Sequence, residues 1–319
     1  MPATVHRRSA VRLSVVLGVC VALVLGLGAF LWQLRALAGH LAEGDLTTGI
    51  YVQDPRLADE AADAVLNGLG HETPAAPAPE PTLPAPTAPT APAPTDRDQR
   101  GAETAPAAEP TVGALFSPGD DGDPEHHCSA SVVHSPGADL VVTAAHCVHT
   151  GGFRTNLVFA PGYRDGVLPY GVWVPTRIHV DRRWSEDHDP DHDIAFLEVR
   201  RPGHPGARLE DLTGGERIAF RSPLPAPARL LGYPNDAEAP LSCRNTARTA
   251  GPTQVRFDCT GFPDGTSGGP LLTGADGPAG TGTLIGVIGG RDGGGDDATS
   301  YSSRFDDAAE ALYERAAGD

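Results

Sequence analysis

Phe262-Pro263-Asp264-Gly265-Thr266-Ser267-Gly268-Gly269-Pro270 sets one serine between glycines, directly ahead of the apolar pair Leu271-Leu272. Glycines beside a serine let the backbone bend sharply and turn N–H groups inward. Fixed donors of that kind suit a place where negative charge develops during a reaction. Taken alone, the stretch reads as an ordinary glycine turn as readily as a nucleophile loop. Its meaning depends on the chain around it.

Outward from the serine, the sequence from Val112 onward consists of short apolar runs punctuated by Gly, Pro and Asp. Among them are Ser131-Val132-Val133, Leu140-Val141-Val142-Thr143, Leu157-Val158-Phe159, Val172-Trp173-Val174, Ile194-Ala195-Phe196-Leu197, Ala228-Arg229-Leu230-Leu231 and Leu284-Ile285-Gly286-Val287-Ile288. Many short strands with turn signals between them predict an all-β antiparallel sandwich or barrel. The end differs: Phe305, Ala308, Ala309, Leu312 and Ala316 recur at helical spacing. Asp306 and Asp307 in its first turn and Arg315 in its last suit the helix dipole. Residues 112–319 are thus expected to be one compact domain that closes with a helix.

The N-terminal third has a different character. Residues 1–12 carry Arg7, Arg8 and Arg12 without an acidic residue, and Leu13 to Leu34 is apolar apart from small or polar interruptions at Ser14 and Gln33. Roughly twenty apolar residues at about 1.5 Å rise span a bilayer core. The arginines favour a cytoplasmic tail, which puts the chain beyond the span outside the cell. The expectation is a single-pass anchor at 13–34 in the cell membrane. The alternative is a secreted protein, released at a signal cleavage site resembling Ala36-Leu37-Ala38. Residues 35–72 are expected to be a juxtamembrane segment with a helix over Pro55–Leu69, apolar at Leu57, Ala61, Ala64, Val65 and Leu69. Residues 73–111 are rich in Pro, Ala and Thr, which predicts a semi-extended disordered linker.

Composition narrows the partners. With 24 basic against 41 acidic residues the net charge is −17, which argues against nucleic acid. There is no lysine, so every basic side chain apart from histidine is an arginine. Four cysteines lie beyond the export signal, Cys128, Cys147, Cys243 and Cys259, and read as two disulfides.

A nucleophilic serine needs a base, and the base an orienting acid. His146, in Thr143-Ala144-Ala145-His146-Cys147, stands where the strand Leu140–Thr143 ends. Asp193 opens Ile194-Ala195-Phe196-Leu197, and a carboxylate entering an apolar strand must be partnered on burial. Its neighbours Asp187, His188, Asp189, Asp191 and His192 read as a solvated loop. His126, His127, Cys128, His146, Cys147 and His149 lie close in sequence, but their spacing fits no standard zinc pattern. No metal and no cofactor is expected.

In that order, the blocks around His146, Asp193 and Ser267 resemble the three signature blocks of the trypsin/chymotrypsin-like serine peptidases, over about residues 112–319. The resemblance implies two packed antiparallel six-stranded β-barrels with a C-terminal helix and a cleft between the barrels. It implies that His146 acts as base and then acid, Asp193 holds its tautomer and Ser267 attacks a peptide carbonyl. The N–H groups of Gly265 and Ser267 would form the oxyanion hole. It places a disulfide between Cys128 and Cys147, which leaves Cys243 to pair with Cys259. The partners are a protein or peptide substrate and, through the N-terminal helix, the membrane, with the catalytic domain monomeric. The second reading is an inactive scaffold of this kind serving as a binding module; the third is a metal-dependent hydrolase.

The resemblance thins at the specificity pocket. Gly261 stands six residues before Ser267, and Gly289, Gly290 and Arg291 come after the strand Gly286-Val287-Ile288 where many relatives carry Ser-Trp-Gly. Asp258 or Asp264 is a candidate for meeting a basic substrate side chain, Arg291 for an acidic one. Val112-Gly113 resembles the start of a mature domain, with Asp264 as acceptor for a freed amino terminus.

Overall fold

The computed structural model describes residues 41–45, 47–69, 101–105, 109–118, 124–275 and 281–318. The expected tail 1–12, the span 13–34 and most of the Pro/Ala/Thr stretch lie outside them. Among the described residues no helix is long and apolar enough to cross a membrane. Glu43–Asp319 forms one compact unit, whereas Met1–Ala42 is a unit of its own, of which only Leu41 and Ala42 are described.

The short apolar runs form strands, as expected of β-branched residues that bury on a pleated surface. The first sheet contains β1 (Ile50–Val52), β2 (Val112–Pro118), β3 (Pro124–Val133), β4 (Leu140–Thr143), β5 (Val158–Pro161), β6 (Val174–Val180) and β7 (Ala195–Arg200). Its order is β1-β6-β7-β4-β3-β2-β5, antiparallel throughout. Phe159 in β5 exchanges backbone bonds of 2.7 and 2.8 Å with Trp173, just ahead of β6. That bridge curls six of the strands back on one another.

The second sheet contains β8 (Arg217–Ile218), β9 (Ala226–Gly232), β10 (Leu241–Ala250), β11 (Gln254–Asp258), β12 (Pro270–Thr273), β13 (Thr283–Val287) and β14 (Thr299–Ser303). Its order is β8-β13-β12-β9-β10-β11-β14, with two further two-residue strands. Gly289 N–H donates to Tyr301 C=O at 3.0 Å, which joins the end of β13 to β14. The C-terminal helix spans Asp307–Ala317 and buries Ala309, Leu312 and Ala316. Asp306 precedes the first turn and caps it, its carboxylate accepting from the N–H groups of Ala308 and Ala309.

Two expectations change. The helix over Pro55–Leu69, α1, is present, but it is not a separate juxtamembrane element. Its Ala58, Ala62 and Val65 are buried in the core of the first sheet, and Arg200 binds Asp59 Oδ1 at 2.7 Å. Downstream, Ala102 N–H donates to Thr260 C=O at 2.7 Å, and Glu103 and Thr104 pair with Ser242 and Leu241. The compact unit therefore begins at Glu43, ahead of Val112, and the chain at Leu69 and at Gly101 belongs to that same unit. Low-complexity composition says that a stretch makes no core of its own; it is silent about where its ends dock.

In the uncut chain Val112 runs on from Thr111 inside the same body. It is a buried position at the head of β2 whose N–H donates to Glu109 C=O at 2.9 Å. Just before it, the Glu109 carboxylate meets the Arg229 guanidinium at 2.5 Å, both side chains under 10 % exposed.

Candidate active site

β4 ends at Thr143, Ala144 stays extended, and the chain makes one helical turn, α2 (Ala145–Val148), that carries His146. Asp193 arrives from the other side through a helix, α3 (Arg182–Asp187), and a 3-10 turn, Pro190–His192. Asp181 caps the first by accepting from Arg183 N–H, and Asp189 caps the second by accepting from Asp191 N–H. The polar loop is thus a pair of capped turns that deliver Asp193 to a fixed place.

Asp193 is 1 % exposed, and its two oxygens receive three donors. Oδ1 accepts from His146 N–H at 2.9 Å; Oδ2 faces His146 Nδ1 at 2.7 Å and accepts from Gly290 N–H at 2.7 Å. A carboxylate so surrounded is used as an acceptor, so the imidazole proton sits on Nδ1 and Nε2 is left with its lone pair. Three donors also compensate the burial of the acid.

The serine loop is pinned to the same corner. Gly268 has φ +79°, and a side chain there would collide with Thr143 Oγ1 and the Ser129 carbonyl oxygen. Only glycine lets the loop lie this close to the root of the histidine turn. Ser129 N–H donates to Ser267 C=O at 2.7 Å, and Ser129 Oγ donates to Gly265 C=O at 3.0 Å while accepting from Tyr233 N–H at 2.7 Å.

Two carbonyls set the direction of two amides. Asp264 C=O accepts from Asn235 N–H and Thr266 C=O accepts from Gly269 N–H, both at 2.9 Å. A trans peptide puts its N–H opposite its C=O, so the N–H groups of Gly265 and Ser267 are turned away from those bonds. Among the described residues neither amide has a backbone acceptor.

Both expected disulfides are formed, Cys128–Cys147 and Cys243–Cys259. The one cluster of potential metal ligands among the described residues, Cys128, His146 and Cys147, has both sulfurs in the first of them. Disulfide sulfur is not a thiolate, so only His146 of the three remains as a ligand.

The expected pocket residues fall in different places. Gly289 and Gly290 form the seat of Asp193: a side chain on Gly289 would come within 2.8 Å of Oδ2. Gly261 is exposed, and its N–H donates to Asp297 C=O at 2.9 Å. Arg291 is exposed with its guanidinium 5.9 Å from the Tyr301 ring centre. Asp258 is engaged by Arg256 Nε at 2.6 Å and Thr299 Oγ1 at 3.0 Å, and Asp264 is exposed. Residue reading missed Ser129, which touches both sides of the serine loop; a small polar residue after a cysteine carries no signal of that role. It also missed Trp184, buried with its ring centre 6.4 Å from that of His146 and Nε1 donating to His149 C=O at 3.2 Å.

The family model described as trypsin-like peptidase domain matches residues 128–287, half of the chain. Among solved structures, the protease Anisep from Arthrobacter nicotinovorans is 24 % identical, covers 68 % of this chain and 99 % of its own, and has a TM-score of 0.59. A thermostable serine protease, AL20, from an extremophilic microorganism is 29 % identical over 66 % of this chain and 97 % of its own, with a TM-score of 0.58. A Glu endopeptidase is 15 % identical over 69 % and 98 %, with a TM-score of 0.54, a likeness of fold alone. No curated protein matches this chain.

Proposed function

Because this chain belongs to the trypsin-like peptidase domain family, whose solved neighbours include serine proteases, we propose that it hydrolyses peptide bonds through Ser267, His146 and Asp193. Ser267 Oγ attacks the scissile carbonyl while His146 Nε2 takes its proton. The same nitrogen returns the proton to the leaving amine, and Asp193 holds the tautomer in both steps. The N–H groups of Gly265 and Ser267 bind the oxyanion, and water then releases the acyl group by the same route. The observation that carries this reading is the 2.7 Å contact of His146 Nδ1 with buried Asp193, beside a serine loop whose Gly265 and Ser267 amides have no backbone acceptor among the described residues.

The two curled sheets are read as the family's two barrels with the cleft between them. The chain is read as active without a cut ahead of Val112, since Glu109 and Arg229 hold that region in place and the amides of Gly265 and Ser267 are already oriented. Two disulfides suit an oxidising, extracytoplasmic compartment, with residues 13–34 as membrane anchor, or removed as a signal in a secreted form. The catalytic unit is read as a monomer that takes a protein or peptide substrate.

The test is a fluorophosphonate probe on the uncut chain and on Ser267→Ala. Labelling of the first and not the second supports the proposal. An unlabelled, folded wild type turns the reading to an inactive scaffold. Sodium carbonate extraction of membranes decides location: retention in the pellet supports the anchor, release with a new amino terminus after Ala38 the secreted form.

A further inference from the structure

β2 and β3 lose register beside the catalytic turn. Leu115 pairs with Cys128 but Phe116 pairs with His126, so His127 is the extra residue of a β-bulge. In a regular strand His127 and Cys128 would point to opposite faces; a bulge breaks that alternation and re-aims a side chain. Both neighbours here grip one residue, Cys147: Cys128 through its sulfur, His127 through Nε2, 3.0 Å from the Cys147 carbonyl oxygen. The other ring nitrogen, Nδ1, lies 3.0 Å from Ser117 Oγ.

We propose that His127 is a positioning residue for His146, a second clamp on the turn α2 that works beside the disulfide. The inference rests on the reading of His146 as the base. A single helical turn cannot hold its own shape, because nucleation leaves it with almost no internal bonds. Its carbonyls need outside partners, and Cys147 C=O finds one in His127. A carbonyl only accepts, so His127 carries its proton on Nε2, and Nδ1 accepts from the Ser117 hydroxyl. Desolvation of the ring, with Arg154 nearby and His146 and His126 adding positive charge, pushes the imidazole down to about 4. It therefore stays neutral, with one donor and one acceptor, where a peptidase works. A clamp on Cys147 C=O fixes the Cys147–Val148 peptide, one residue beyond His146, and so steadies the backbone from which the His146 ring projects. A displacement of about 1 Å at that point costs on the order of 100-fold in rate.

The experiment compares His127→Phe, His127→Gln and Ser117→Ala in the full chain. Readouts are the rate of fluorophosphonate labelling, kcat and KM on fluorescent casein, and the downfield proton resonance between His146 Nδ1 and Asp193. His127→Phe keeps a flat ring but loses the donor; labelling and kcat should fall about tenfold with KM unchanged, as for a displaced base, and the resonance should shift. His127→Gln, whose amide N–H reaches the ring Nε2 position, should restore both to within about threefold. Ser117→Ala leaves the ring but frees its tautomer and should give a smaller loss of the same kind. Wild-type rates and resonance in His127→Phe overturn the proposal. So do equal losses in Phe and Gln variants that track their melting temperatures. Should both fail to fold, an unchanged rate and resonance in Ser117→Ala overturns it. An unlabelled wild type counts against the peptidase reading instead, and the resonance alone then decides the clamp.

Discussion

Gly290 N–H lies 2.7 Å from Asp193 Oδ2, the same oxygen that faces His146 Nδ1. The pair of glycines after β13 is therefore the seat of the acid: Gly290 supplies a donor, and Gly289 the room for it.

Asp193→Asn keeps the shape but must present an NH2 group to at least one of three donors. With NH2 in the Oδ2 place it opposes Gly290 N–H and puts His146 in the wrong tautomer; with NH2 in the Oδ1 place it opposes His146 N–H and unseats the histidine turn. The loss in kcat should be about four orders of magnitude. Pre-steady-state labelling with the fluorophosphonate measures it, and a loss under tenfold sinks the assigned role.

Gly268→Ala should cost about 3 kcal/mol of stability, from a left-handed φ of +79° and a methyl group driven into Thr143 Oγ1 and the Ser129 carbonyl oxygen. Urea unfolding reads the stability. The relief must come from moving the serine loop, so labelling of Ser267 should slow in the fraction that remains folded.

Glu109→Gln strips one partner from an ion pair whose side chains are 7 % and 9 % exposed, and should destabilise by about 3 kcal/mol. Amino-terminal sequencing of active wild-type enzyme should show Glu109 and Thr111 still joined to Val112. Activity that appears only after cleavage at Val112 contradicts the uncut reading.

Acid should weaken the fold through histidine. In the folded chain His127 is held at about 4 by desolvation and Arg154, against about 6.5 in the unfolded chain. Between those values the unfolded chain binds a proton and the folded one does not. Stability is thus full above pH about 6.5 and declines as the pH falls toward about 4, flattening below. His126 and His149, also lowered by burial, act in the same direction. Melting curves of wild type and His127→Gln should converge as the pH drops through this window.

What could be read from residues alone was local. A histidine after an apolar run, an aspartate before one and a serine among glycines each announce themselves through their neighbours, and Asp306 and Asp307 mark the start of the last helix by their charge. Ser129 and His127 act across the sheet, through bonds to Ser267, Gly265 and Cys147 that no spacing reveals. The bulge that aims His127 depends on which strand lies beside β3, a non-local fact. The docking of α1 escaped for the same reason: alanines at Ala58 and Ala62 look like weak apolar positions until a packed surface appears against them.

The stretch between Leu69 and Gly101 has both ends fastened to one body. Cutting it therefore opens a loop instead of shedding a head from a stalk. The amino-terminal piece stays attached by the β1–β6 ladder, by the buried face of α1 and by the Arg200–Asp59 bond. If residues 13–34 hold the chain at a membrane, a nick in the proline-rich stretch yields a two-chain enzyme that is still retained there. Release requires a cut ahead of Glu43.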